Sequence, residues 1–186
     1  MALFLTGLII FFGAHLFTGL MRAPRAAIIS KVGEMPYKGL YSLVSIAGFV
    51  IIIMGWKTAD SSVIYTTPYW LRHVTHLLML IAFILLAAAY LPAGKIAAGA
   101  KHPMLAGVKI WAFAHLLVNG ELRSIILFGS FLAYAVIDRI AVKKRGETGR
   151  AAGPVMNDVI AVVVGGAAFA AVAFYGHKYI AGVALF

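Results

Sequence analysis

Any chemistry in this sequence has to come from imidazole. Six histidines stand in a chain without cysteine, which excludes disulfides, thiolate ligation, iron–sulfur clusters and covalent c-type haem attachment. His15 follows Gly13-Ala14 in an apolar run, and His73 and His76 stand three apart on one helical face. His102 precedes Pro103 at the head of a run that carries His115 near its far end, and His177 closes the last run. An ionisable side chain inside an apolar span is costly and marks a functional candidate. A histidine at a span end more often hydrogen-bonds a carbonyl or sits at the interface, and His76 and His177 fit that description. His115 does not, because Trp111 and Asn119 share its face at helical spacing within an apolar run.

A structural zinc site wants three or four closely grouped ligands, commonly with cysteine, and no such grouping occurs in this chain. A bis-histidine haem b needs only two imidazoles from different helices across a flat apolar gap. His102 and His115 are thirteen residues apart on one helix, or ~20 Å of rise, so they cannot share an iron. Depth in the membrane favours His73 (or His76) opposite His115. His15 lies ~10 Å deeper, but an ordinary tilt of ~20° brings it into range. His115 is the common member of both pairings.

The elements that position these residues are membrane spans. The chain has 186 residues, 63% of them hydrophobic and only 12% charged, with a mean hydropathy of +0.97. Such a composition cannot build a water-compatible shell, and a bilayer is the solvent that suits it. Six apolar segments, at 3–21, 40–56, 70–91, 104–118, 122–142 and 155–175, predict an all-α polytopic bundle of about six helices. They form a single transmembrane domain over residues 1–186. No basic residue precedes the first run, which is therefore read as a retained span and not a cleaved leader. The fourth and fifth runs are joined by a tight turn at Asn119-Gly120-Glu121.

The formal net charge of +10 is spread over the connections, so it reads as a topology signal and a contact to anionic lipid, not a nucleic-acid surface. Arg22, Arg25, Lys31 and Lys38 follow the first span, Lys95 and Lys101 the third, and Lys143, Lys144, Arg145 and Arg150 the fifth. The asymmetry places these loops in the cytoplasm, with both termini outside. Lys109 and Asp138 stand at comparable depth on the fourth and fifth spans, and they are expected either to pair or to snorkel and pair locally.

The run from Lys101-His102-Pro103 through Gly107-Val108-Lys109-Ile110-Trp111-Ala112-Phe113-Ala114-His115 to Asn119-Gly120 resembles the NnrU family. So do Lys38-Gly39-Leu40-Tyr41-Ser42, Leu71-Arg72-His73 and the Phe128-Gly129 to Asp138-Arg139 stretch. The resemblance implies a role in forming or regulating nitrite and nitric oxide reduction. More distantly the chain is similar to the 15-cis-zeta-carotene isomerases, and that similarity implies haem b held by His115 and His15. Ala112 stands where those enzymes carry a cysteine, so a thiolate ligand switch is not implied. Trp111, Asn119 and His102 complete the expected cofactor-binding set, and the ligand is a small hydrophobic or gaseous molecule. Lys101-His102-Pro103 also resembles the basic-His-Pro motif of membrane methyltransferases, which implies S-adenosylmethionine held by His102 with Asn119 or Glu121. A non-catalytic assembly or transport component, built around Lys109 and Asp138, is the third alternative.

Overall fold

A computed structural model describes residues 1–185. Among them the helices are α1 (Ala2–Leu20), α2 (Arg22–Val32), α3 (Glu34–Trp56), α4 (Leu71–Tyr90), α5 (Lys95–Ala100), α6 (Pro103–Leu116), α7 (Leu122–Lys144), α8 (Val155–Ala171) and α9 (His177–Ala181). A π-helical turn, Val172–Gly176, joins α8 to α9. The protein is all-α, as the hydropathy pattern predicts, and its only β feature among the described residues is an isolated bridge between Val63 and Glu121.

Five helical stretches, namely α1, α3, α4, α7 and Val155–Ala181, are long and apolar enough to cross a bilayer. The fourth apolar run becomes α6, whose fourteen residues reach only ~21 Å at 1.5 Å per residue. Large apolar side chains such as Ile9, Leu43 and Val163 point outward on these helices. That surface is unfavourable in water and favourable against lipid. This is a multi-pass membrane protein. The basic stretch after the first span, expected as a loop, is instead the helix α2. It has no buried residue, since its cations cannot enter a core.

The chain forms two compact units. The first comprises Met1–Thr66 and Asn119–Lys144, and thus holds α1, α2, α3 and α7. Phe4, Leu8 and Phe12 recur every fourth residue on α1 and form its core with Ile52 of α3 and Ala59. α1 and α3 run antiparallel and nearly touch. A side chain at Gly55 would strike the backbone of Phe4, so glycine is required where no hydrophobic force pulls helices together and close packing must do it.

The second unit comprises Thr67–Val118 and the chain from Arg145 onward. α4 packs against both α6 and α8. Ala88, Ala97 and Ala161 make a small-residue core between α4, α5 and α8, and Gly165 admits the backbone of Ile84. The hydroxyl of Thr75, near the start of α4, donates to the carbonyl of Ala114, near the end of α6, at 3.2 Å. The two helices are therefore antiparallel.

Candidate histidine sites

In the first unit the site residue is His15. Its Nδ1 lies 2.7 Å from the carbonyl of Phe11, one turn earlier on α1. A carbonyl only accepts, so Nδ1 carries the proton and the neutral ring keeps its lone pair on Nε2. The ring packs on Phe11 at 4.2 Å between centroids. It meets Tyr41 of α3 at 5.4 Å and Tyr134 of α7 at 5.6 Å, both edge-on. Asp138 follows Tyr134 by one turn, and its carboxylate occupies the space that a side chain at Gly19 would need. His15 is thus bounded by groups from three helices, none of which the sequence had linked to it.

In the second unit, His115 repeats the same local arrangement. Its Nδ1 lies 2.8 Å from the carbonyl of Trp111, and the two rings are 5.1 Å apart. Ala112 and Ala114 are fully buried on either side of the exposed Phe113. Ala114 lies on the face that packs on α4, with Gly107 and the Thr75 bond, and His115 is half-buried beside it.

The bond from Thr75 to Ala114 sets the antiparallel register, and it places His73 within about one residue of the depth of His115. Depth alone does not make a pair. His73 is exposed at the first turn of α4 and stands edge-on to Tyr69 at 5.9 Å. His177, which the sequence assigned to a span end, lies within electrostatic range of His115. It follows the π-helical turn and hydrogen-bonds the carbonyl of Val183 at 2.7 Å. π-helical insertions recur at functional sites. Among the described residues, no three histidine or carboxylate side chains converge to hold a bare metal ion.

The remaining expected residues separate. His102 caps the start of α6, and its Nε2 is buried without a hydrogen-bond partner. Asn119 does not share the face of His115, because α6 ends at Leu116. It belongs to the first unit, where its carbonyl accepts from the hydroxyl of Tyr65 at 3.3 Å. Helical spacing was extrapolated one turn past the point where the backbone leaves the helix. Lys109 and Asp138 likewise fall in different units.

The end of the first unit that carries the loop after α3 is held by Arg123. Arg123 pairs with Glu121 at 2.8 Å, donates to the carbonyl of Trp56 at 3.3 Å and lies 4.7 Å over the Trp56 ring. Desolvation raises the Tyr65 phenol above its ordinary range.

Neither the curated proteins nor the solved structures contain a match to this chain. The family model described as NnrU protein matches residues 3–185, nearly the whole length. The chain belongs to the NnrU family.

Proposed function

We propose that this protein binds haem b through His115 in the bacterial inner membrane and serves nitrite and nitric oxide reduction, by a redox or isomerase-like activity or as a supporting factor. The observation that carries this reading is the tautomer of His115. The Trp111 carbonyl accepts a hydrogen bond from its Nδ1–H, so in the neutral ring Nε2 is the basic nitrogen. Metal-bound histidines almost always donate their other N–H in this way, fixing the ring and raising its basicity. His15 has the same arrangement with Phe11, and an all-imidazole donor set without cysteine suits haem b.

A bound haem would supply electron exchange or coordination of a small gaseous or hydrophobic ligand. The chain's own contribution is orientation and dryness. The Trp111 carbonyl holds the imidazole in one tautomer, and buried Ala114 closes α6 against α4. The second imidazole comes from His73 or His15. We place the basic connections in the cytoplasm and both termini outside.

The test is the absorption spectrum of protein purified in detergent after expression with ample haem. A Soret band is expected, and His115→Ala should abolish it. Separate His15→Ala and His73→Ala variants should show which one changes the ligation spectrum. A colourless wild-type protein, or an unchanged band in folded His115→Ala, refutes the reading.

One observation favours a second reading. The buried, unpartnered Nε2 of His102 suits a ligand at the head of α6, as in a membrane methyltransferase using S-adenosylmethionine. A colourless protein that binds S-adenosylmethionine, and loses it in His102→Ala, would support that reading over haem.

A further inference from the structure

At the end of the first unit that carries α2, an open groove of about 180 Å³ runs between α1, α2 and α3. Its walls include Ala14 and Phe17 of α1, Ile28 of α2, and Leu40 and Val44 of α3. The volume falls well below the ~300–1,000 Å³ of pockets that enclose a compact ligand, so the shape suits one hydrocarbon chain. The mouth is different. Tyr37 lines the groove and is itself buried. Its hydroxyl shares a 2.9 Å hydrogen bond with Thr18, another lining residue. The guanidinium of Arg25 lies 5.7 Å over the Tyr37 ring. Arg25 precedes Ile28 by three residues, which puts both on one face of α2. Its Nε is buried and has no hydrogen-bond partner among the described residues.

A buried donor on a cation is costly to leave unmet. α2 contributes two further cations, Arg22 and Lys31, and no acid. The neighbouring Lys38 is matched by Glu34 at 2.7 Å; Glu34 also lies within electrostatic range of Arg25, and Asp138 lies beside Gly19. With three cations and no acid, α2 itself brings a net positive charge to this end. A hydrocarbon-sized groove beside a positive, donor-rich mouth, at the end of two spans, matches one chemical class: an amphiphile with an anionic head. We propose that this groove seats an anionic phospholipid of the adjoining leaflet, with one acyl chain against Phe17, Leu40 and Val44 and its phosphate on Arg25. A soluble anion leaves the apolar walls without a role. A net-neutral phospholipid leaves the surplus positive charge of α2 unbalanced. The inference is independent of haem binding.

The test is native mass spectrometry of the full-length protein released from vesicles of equimolar phosphatidylglycerol and phosphatidylcholine. Wild-type protein should retain phosphatidylglycerol in preference to phosphatidylcholine. Arg25→Gln should weaken that retention about fivefold, the effect of one basic residue at an anionic surface. Ile28→Glu, at a partly exposed wall position that tolerates change, should abolish the preference, whereas Lys178→Gln on α9 should leave it intact. Circular dichroism and size-exclusion profiles establish that each variant is folded. Equal retention of the two lipids, unchanged preference in folded Arg25→Gln and Ile28→Glu, or displacement by inorganic phosphate alone would overturn the assignment.

Discussion

Asp60 accepts hydrogen bonds from both the amide of Ser62 at 2.8 Å and its hydroxyl at 2.5 Å. These donors favour the ionised form and hold the carboxyl below the ordinary aspartate range. A carboxyl depressed in the folded state stabilises the loop above its unfolded pKa, and the contribution fades as pH falls through the folded value. Ser62→Ala removes the hydroxyl and keeps the amide, so the Asp60 midpoint should rise part of the way towards the ordinary value. Titration of the Asp60 carboxyl carbon by NMR reads this directly. No change in midpoint would mean that the hydroxyl contributes nothing. At the same scale, the sequence could single out His15 and His115, because a lone imidazole in an apolar run is conspicuous. It could not supply Tyr41, Tyr134 and Asp138 around His15, since tyrosine is ordinary in a membrane helix and facing partners depend on helix rotation.

Helix ends explain what hydropathy left out at the scale of elements. The stretch from Gly146 to Gly153 reads as a linker with a topology-setting arginine. In the fold, Arg150 instead donates to the carbonyls of Ala88, Ala89 and Leu91, which lie at the C-terminal end of α4 where no intrahelical partner remains. Asp158 performs the complementary task, accepting from the amides of Lys95 and Ile96 at 2.9 Å each at the start of α5. Both contacts join residues some sixty positions apart, so no local pattern announces them. Asp158→Ala should cost about 1 kcal/mol, as loss of a helix cap does. Arg150→Ala should cost about the same, since its charge-assisted bonds are partly replaced by water at an exposed site. Denaturant unfolding in detergent measures both. Hydrogen exchange should locate the first loss at Lys95 and Ile96. The π-helical turn before His177 was equally illegible, because nothing in the residues Val172–Gly176 marks it.

Six crossings are the prediction for the whole chain, and among the described residues five helical stretches are long and apolar enough by themselves. The loop after α3 hydrogen-bonds to the connection before α7: Leu122 donates to Ser62, Arg123 to Asp60, and Ile64 to Gly120. These two connections therefore lie on one side of the membrane. α4 leaves from that side, and the chain must return to it before Gly120. The return falls to α6, which is antiparallel to α4. Its ~21 Å falls short of a hydrocarbon core of ~30 Å, and local thinning of the bilayer at modest cost closes the gap. The charge pattern predicts the same: were α6 not to cross, the cluster at Lys143, Lys144 and Arg145 would leave the side to which the positive-inside rule assigns Arg22, Arg25, Lys95 and Lys101. Met1 lies at the end of the first unit that carries Thr58, and α8 starts beside α5 and runs antiparallel to α4. The two termini should accordingly report from the same compartment. Reporters fused in turn at each end, together with a cysteine placed at the exposed Ser61 and another at the exposed Thr148 for labelling by an impermeant maleimide, test the scheme. Both ends and position 61 should label from outside, and position 148 only after permeabilisation. Termini reporting from opposite sides would mean that α6 does not cross, and the paired loops of the first unit could not then form in the membrane.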